Sequence, residues 1–278
     1  MDTTEARYAA IARTMATSGD WVTPWFPDGN PFWGKPPLAF WLSAVGFNTL
    51  GINEFAARLP HWIMAVLVVV VVWDTTARWS RDAALYAVAI LSGSLLFFVL
   101  AGSVTTDMAL TAGVAIAMRG VLLGLHGASE HVRRRESLLL FVGLGIGLLA
   151  KGPIVLILVF APLLVWMLLS RETTTVLRGL PWLRGALLTL AIALPWYLMA
   201  ELRTPGFLRY FIVGEHIMRF LVPGWEGDLY GSAHDQAYGT IWVFLFLGIL
   251  PWAFVLPVLA RRRDRPSVRS CGPLPRPI

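Results

Sequence analysis

The sequence predicts an all-α integral membrane protein, a multi-span helical bundle of about seven spans preceded by two juxtamembrane interfacial helices in the first outer loop. Hydrophobic residues make up 56% of its 278 residues and charged residues only 14%, whereas charged residues supply about a quarter of a soluble domain. Apolar runs close to the roughly 20 residues that cross a bilayer recur along the chain. The single cysteine, Cys271, excludes a disulfide framework and a Cys-based metal site.

Seven apolar segments account for the predicted spans. Helices are the expected spanning elements, because lipid offers no hydrogen-bond partners to an open backbone. Gly152-Pro153 interrupts the apolar sequence between the fourth and fifth segments, since a helix does not continue through this pair. The segments are residues 57–77, 83–101, 106–125, 137–150, 153–170, 185–200 and 240–260.

Three regions follow from these segments. Residues 1–56 form an outer region with two interfacial helices, and residues 57–260 form the transmembrane bundle, including an outer loop at 201–239. Residues 261–278 are a basic, Pro-rich tail that we expect to be disordered.

Two short amphipathic segments precede the first span. TEARYAAIARTM places Tyr8, Ile11 and Met15 on one face, a spacing that predicts a helix lying in the membrane interface. PLAFWLSAVGFNTL follows Pro36-Pro37 and is too short to span, so it is predicted to be a second interfacial helix.

Clusters of basic residues set the orientation, because cytoplasmic loops carry an excess of Lys and Arg. Residues 1–56, the turn at 101–107, the Lys151 turn and loop 201–239 then lie outside. The net charge of +6 is therefore that of membrane loops, and no nucleic-acid binding is predicted. The clusters are Arg78 and Arg81, Arg133 to Arg135, Arg171, Arg178 and Arg184, and Arg261 to Arg263 with Arg265.

Lys35 stands among aromatic residues and prolines in PFWGKPPLAFW. A lysine near a helix end commonly extends to lipid headgroups. The alternative is that the prolines fix it at the surface to bind the phosphate of a lipid, with its aromatic neighbours flanking the lipid chain, because lysine serves phosphate as a compact point charge.

Acidic residues on the outer side are the next candidates. Asp107, in GSVTTDMALT, either caps the helix that begins there or belongs to a functional site, since acids at such depth are rare. Asp2 and Glu5 form a further acidic pair, for which a solvated chain terminus is the alternative.

The segment around GEHIMRF combines charge with aromatic residues. Glu215 and Arg219 share a helical face, and an ion pair on an exposed helix is the simplest interpretation. The many Trp, Tyr and Gly residues that follow favour an ordered outer loop over a cleft. His216, His234 and Asp235 lack a distinctive spacing, so we assign no metal ligands and leave a divalent cation open as a cofactor.

Seven motifs in order give this sequence a family resemblance: DTTEARYAAIARTM, SGDWVTP, PFWGKPPLAFW, GINEFAARLP, TTDMAL, LLAKGP and GEHIMRF. Together they resemble the membrane glycosyltransferases of the protein O-mannosyltransferase type, and among these the aminoarabinose transferases that modify lipid A. The likeness covers residues 2 to about 255. It implies a GT-C fold and transfer of a hexose or pentose from polyprenyl (undecaprenyl) phosphate to lipid A, protein or a glycan, at the periplasmic face of a bacterial inner membrane.

The resemblance also implies roles for individual residues. Lys35 and Arg219 match positions that hold the donor phosphate, and Asp107 matches an acidic residue of the sugar site. Asp2 or Glu5 matches the acid proposed as general base or acceptor-positioning group. We therefore expect Lys35, Asp107 and Arg219 to line one cavity. The supporting residues are expected to be Lys151, Glu215 and His216.

Departures from the family pattern define the alternatives. Gly34 stands where many relatives carry Glu before the lysine, which puts a metal or acceptor contact at that position in question. Relatives begin one helix earlier and continue past residue 260, so we expect a fragment or a misassigned start. The alternative functions are a transporter or flippase of lipid-linked sugars and an inactive truncated homologue. The predicted inner face offers little besides basic loops, which counts against transport.

Overall fold

The computed structural model describes residues 3–127, 129–170, 173–222, 225, 227, 229–230 and 239–255, and the regular structure in this part of the chain is helical. Asp2, His234, Asp235 and the tail 261–278 lie outside the described residues. The helices are α1 (Thr3–Ser18), α2 (Leu38–Leu50), α3 (Glu54–Ala77), α4 (Arg81–Gly93), α5 (Leu95–Ala101), α6 (Asp107–His126), α7 (Glu130–Lys151), α8 (Ile154–Ser170), α9 (Thr173–Gly179), α10 (Trp182–Arg203), a π-helix (Arg209–Met218), α11 (Arg219–Leu221), α12 (Thr240–Gly248) and a 3-10 turn (Trp252–Phe254).

Each predicted apolar segment contains a helix, but segment 83–101 is divided. Its two parts, α4 and α5, bend by 70° at Ser94. At the bend the Ser94 backbone is extended, with a ψ of 128°, and the Leu95 N–H donates to the Leu250 carbonyl oxygen (2.9 Å). The polar Ser94 hydroxyl donates back to the Ile90 carbonyl oxygen (2.7 Å).

The basic cluster Arg133 to Arg135 lies in a helix, whereas the sequence predicted a loop. Helix α7 begins at Glu130 because the Ser129 hydroxyl accepts a hydrogen bond from the Val132 N–H (3.3 Å). The outer loop predicted at 201–239 is likewise largely helical in its described part. It consists of the end of α10, the π-helix and α11.

In the described part of the chain, three helices are long and apolar enough to cross a membrane, namely α3, α6 and α10, and the bent pair α4–α5 makes a fourth if it is one span. Helix α7 carries charged residues through its first turns, and α8 has only 17 residues. Seven spans therefore stays a prediction. Large apolar side chains cover the outer surfaces of these helices, among them Phe98, Leu169 and Leu187, as a lipid-facing surface requires.

Helices α6 and α7 form the centre of the bundle because glycines let their backbones touch. A Cβ atom at Gly120 would lie 2.1 Å from the Leu140 backbone nitrogen, and one at Gly143 would lie 2.4 Å from the Gly113 carbonyl oxygen. Small residues allow this close approach between membrane helices. The two helices run antiparallel across a short connection, so the start of α6 and the end of α7 lie at the same end of the bundle.

A charged network holds α3, α6 and α7 together away from that end. Arg119 donates to both carboxylate oxygens of Glu136 (2.9 and 3.0 Å) and also pairs with Asp74. Arg78 lies 3.9 Å from Glu136. Arg119 is twelve residues into α6, or about 18 Å from Asp107 at 1.5 Å per residue.

Helix α1 has the apolar face that the sequence predicted, but this face packs against protein. Ile11 and Met15 are fully buried, and Tyr8 contacts Phe32 and Phe40. The periodicity of a sequence predicts an apolar face but does not predict which surface covers that face. In this structure the segment around α2 covers the apolar face of α1. Whether α1 and α2 also touch the membrane interface stays a prediction.

Candidate functional site

Lys35 is held by a rigid, aromatic segment just ahead of α2. Phe32 is buried against Phe40, at 5.8 Å between ring centroids, so this aromatic neighbour is a core residue and the prediction that it flanks a lipid chain is wrong. The Trp33 N–H donates to the Tyr230 hydroxyl (2.8 Å), and the prolines that follow begin the helix. These contacts fix the backbone on either side of Lys35.

Gly34 is required by the packing around it. A Cβ atom there would lie 2.8 Å from Phe32 Cζ and 3.1 Å from Tyr230 Cδ2. The Glu found before the lysine in many relatives would therefore displace these rings in this chain. The close packing around Gly34 therefore agrees with the absence of this Glu from the sequence.

Lys35 and Arg219 meet on one carboxylate oxygen. Lys35 Nζ lies 3.4 Å from Glu215 Oε2, and Arg219 Nη1 lies 2.9 Å from the same atom. The Glu215 side chain is only 4% exposed, and its other oxygen, Oε1, accepts a hydrogen bond from the Tyr210 hydroxyl (3.2 Å). Lys35 Nζ also donates to the Gly34 carbonyl oxygen (2.7 Å).

The π-helix supplies Glu215 to this contact, and Arg219 follows at its end. The prediction that these two residues share a helical face is confirmed by their ion pair. His216 points elsewhere: its Nδ1 lies 2.7 Å from the Phe211 carbonyl oxygen, and its ring packs edge-on against Phe211. Single π-helical turns are frequent at functional sites.

Asp107 and Lys151 form a second ion pair, with 2.5 Å between Lys151 Nζ and Asp107 Oδ1. Asp107 is the first residue of α6, as predicted. Its carboxylate reaches the lysine that ends α7, whereas Thr106 is the residue at the cap position. Both side chains are about one-third exposed, at 34% and 32%, so the pair is open to solvent or to a ligand.

The two ion pairs lie within one electrostatic environment. Burial lowers the pKa of Lys35, Glu215 partly offsets this, and the positive charges of Lys151 and Arg219 lower it further. A lysine whose charge is both buried and repelled by its neighbours is an anion-binding candidate. Lys35 and Arg219 are thus paired through Glu215, and Asp107 is paired with Lys151, whereas their lining of one cavity stays a prediction.

Tyr8 belongs to the same environment and was missed as a site residue. Burial raises its pKa to about 12, with Asp107 and Glu215 contributing in the same direction and Arg7 and Arg219 opposing. Its phenol therefore stays a neutral hydroxyl at physiological pH. The spacing on α1 marked Tyr8 as a core residue, and no local signal distinguishes a core tyrosine from one that borders a charged site.

Glu5 is engaged in a different contact. Its Oε1 accepts the Val104 N–H (2.8 Å), and its Oε2 lies 3.5 Å from Arg58, which donates to the Gly102 carbonyl oxygen (2.6 Å). Glu5 thus ties α1 to the turn that precedes α6. Within the described ranges, no three His, Cys, Asp or Glu residues come together as a metal site.

A family model described as dolichyl-phosphate-mannose-protein mannosyltransferase matches residues 34–198. The chain belongs to this family. Family membership accounts for the resemblance read from the motifs, of which PFWGKPPLAFW, TTDMAL and LLAKGP fall largely or wholly inside the matched range.

Named relatives narrow the branch within the family. The chain is 30% identical over 275 residues to the undecaprenyl phosphate-α-4-amino-4-deoxy-L-arabinose arabinosyl transferase of Erwinia tasmaniensis, covering 97% of this chain and 47% of that protein. It is 32% identical over 260 residues to the second such transferase of Pseudomonas fluorescens, covering 91% and 42%. The chain therefore spans about half the length of the curated relatives it matches.

A solved member of the family shares the fold. The crystal structure of ArnT from Cupriavidus metallidurans bound to undecaprenyl phosphate superposes with a TM-score of 0.82 at 30% identity, covering 94% of this chain and 47% of that one. Its apo structure superposes with a TM-score of 0.79. The prediction of an all-α integral membrane protein of the GT-C type is confirmed by this match.

Proposed function

We propose that this chain carries the donor site of a glycosyltransferase that moves an aminopentose from undecaprenyl phosphate to lipid A. The observation that carries the proposal is the meeting of Lys35 and Arg219 on one carboxylate oxygen, 3.4 and 2.9 Å away. Two cations that converge on a single anionic atom are suited to the phosphate of a lipid carrier. The names of the relatives supply the donor, and the resemblance supplies the acceptor.

The reaction assigns a role to each charge. An oxygen atom of the acceptor attacks the anomeric carbon of the sugar, and the bond from that carbon to the phosphate oxygen breaks. The bonding electron pair goes to the phosphate, where Lys35 and Arg219 stabilise the charge that develops in the transition state. The sugar carries its own activation, so the transfer needs no nucleotide or redox cofactor.

Where the attacking oxygen carries a proton, that proton passes to a carboxylate. Asp107 and Glu5 are the candidates among the described residues. Asp107 stays one-third exposed beside Lys151 and suits contact with the sugar or the hydroxyl, whereas Glu5 is held by the Val104 N–H and Arg58. If Asp107 is the base, Asp107→Asn will lower the rate of transfer far more than Glu5→Gln.

The proposed location is a bacterial inner membrane with this site on the periplasmic side. Lys35, Asp107 and Lys151 lie at one end of α6 and α7, and the cluster Arg133 to Arg135 lies in the first turns of α7, at the other end. The positive-inside rule makes the Arg-rich end cytoplasmic. An open cavity of about 560 Å³ borders the segment ahead of α2, with Arg7, Asp28 and Trp33 among its lining residues, and gives an acceptor headgroup room to approach.

Transfer tests the proposal directly. Membranes carrying the protein receive undecaprenyl phosphate-linked aminoarabinose and lipid A, and mass spectrometry counts aminopentose on lipid A. Lys35→Ala and Asp107→Asn are each expected to lower the rate by roughly 100-fold or more, the cost of removing one preset charge-stabilising group. Arg13→Ala is the matched control, because it removes an exposed cation of α1 that belongs to neither of the two ion pairs, and it is expected to keep the rate.

Two outcomes contradict the proposal. Transfer that survives both substitutions undiminished refutes the assigned site. Movement of the lipid-linked sugar across the membrane without transfer to any acceptor supports the flippase alternative. Aminopentose found on protein or glycan, with lipid A unmodified, retains the donor site and changes the acceptor.

A further inference from the structure

Glu215 occupies the point at which the proposed phosphate-binding cations converge. Its Oε2 accepts from both Lys35 and Arg219, and its side chain is 4% exposed. The Tyr210 hydroxyl, 3.2 Å from Oε1, fixes the rest of the carboxylate. A lipid phosphate bound by the same two cations must displace Oε2 or lie directly beside it.

The presence of this carboxylate is unexpected for a site built only to hold an anion tightly. Two cations without a neighbouring acid would bind phosphate more strongly, because a like charge at close range disfavours the ligand. The Lys35 side chain is 20% exposed and that of Arg219 is 25% exposed, so both cations remain open to a ligand while Glu215 partly offsets the burial of Lys35. The buried Glu215 carboxylate therefore lowers the affinity of the site for an anionic ligand, which is not expected of a site that only captures the donor.

Resting on the proposed function, we propose that Glu215 is a resident anion of the donor site that competes with the lipid phosphate for Lys35 and Arg219 and so favours release of the polyprenyl phosphate product. The donor and the product differ in charge at this position. The donor phosphate is a diester with one negative charge. The product is a monoester, which carries about −1.5 to −2 at neutral pH, as other phosphate monoesters do.

The repulsion by Glu215 therefore increases when the sugar leaves. Coulomb energy scales with the product of the charges, so a fixed carboxylate disfavours the monoester up to about twice as much as the diester. The site therefore holds the donor with moderate affinity before transfer, and Glu215 offsets part of the extra attraction that Lys35 and Arg219 exert on the more highly charged product. Glu215 in this sense limits retention of the product.

The test compares two lipids on matched variants. The binding constants of undecaprenyl phosphate and of its methyl ester, a diester without sugar, are measured by calorimetry on the protein in detergent. Glu215→Gln keeps the shape of the side chain and can still accept from the Tyr210 hydroxyl. Glu54→Gln, which removes the same charge from the exposed first turn of α3, is the control.

The expected result is selective tightening. Glu215→Gln should bind the monoester about tenfold more tightly, the lower end of what close charge pairs contribute, and the diester about threefold, half as much on a logarithmic scale. Glu54→Gln should change neither constant. Glu215→Met, which fills the same space without a charge, is the second variant and should shift both constants in the same direction.

Three results overturn the inference. Unchanged or weaker binding of the monoester by both Glu215 variants means that the carboxylate only positions Lys35 and Arg219. Equal tightening of the monoester and the diester removes the discrimination by charge. Wild-type protein that binds neither lipid refutes the proposed function together with this inference, whereas the first two results leave the proposed function standing.

Discussion

Gly152 should be among the least replaceable residues near the site, because two independent constraints meet there. Its φ of +84° is strained for any residue with a Cβ atom. A Cβ atom would also lie 2.5 Å from Phe211 Cζ and 3.3 Å from His216 Cε1. The Phe211 ring cannot move aside easily, because it is fully buried and stacks on Phe207 at 5.5 Å.

The cost of Gly152→Ala follows from these two constraints. Backbone strain in a sparsely populated conformation contributes about 1–3 kcal/mol, and overpacking of a buried ring contributes about 1–3 kcal/mol more. The sum, about 2–6 kcal/mol, is a large part of the 5–15 kcal/mol that typically separates folded from unfolded protein. Donor binding should weaken too, because Phe211 lies four residues before Glu215 and Gly152 follows Lys151 directly.

Two glycine variants separate the contributions. Gly19→Ala has a φ of +73° with no atom within 4 Å of the new Cβ, so it should show the backbone cost alone. Gly102→Ala has a φ of −95° and equal space, and should be close to neutral. Thermal unfolding in detergent and undecaprenyl phosphate binding are measured on all three. If Gly152→Ala is no less stable than Gly19→Ala and binds the lipid as the wild type does, the packing argument is wrong.

Two further predictions concern charge. The lowered pKa of Lys35 means that the lysine loses its proton at a lower pH than an ordinary lysine, so lipid phosphate binding should decline with rising pH before the usual pKa near 10.5 is reached. Lys35→Arg, whose guanidinium stays charged, should retain binding on that alkaline limb, and an unshifted limb would contradict the role of Lys35. Glu136→Gln should destabilise the protein by about 3 kcal/mol, since it leaves Arg119 with half of its partners in a largely buried site. The folded fraction should bind the lipid normally, and weakened binding would refute the separation of the two ends of the bundle.

Local signals in the sequence predicted much of the fold. The start of α6 and the ion pair of Glu215 with Arg219 depend on residues within four positions of one another. Capping, apolar periodicity and helical spacing act over that distance, so they can be read without a structure. The same signals gave a wrong prediction for Arg133 to Arg135. These residues lie in a helix and not in a loop, because a charged stretch forms the first turns of a helix when a serine caps it.

Contacts between distant residues were the part that the sequence did not provide. Asp107 and Lys151 are 44 residues apart, and Glu215 reaches Lys35 across 180 residues. The contact between Asp107 and Lys151 could have been predicted, because α6 and α7 have nearly equal length and a short connection, which brings the start of α6 next to the end of α7. Tyr8 and the contact between Lys35 and Glu215 depend on packing of separate elements, for which a single sequence carries no local signal.

The arrangement of the charges links fold to function. Lys35, Lys151 and Arg219 face the carboxylates of Glu215 and Asp107, so these five residues together leave one positive charge. A phosphate diester neutralises it, whereas a monoester exceeds it. Glycine contacts between α6 and α7 fix one ion pair, and the π-helix against the segment before α2 fixes the other. On the proposed function, a net charge of +1 suits the singly charged lipid-linked sugar, and the Glu215 carboxylate offsets part of the extra attraction that Lys35 and Arg219 exert on the more highly charged lipid phosphate.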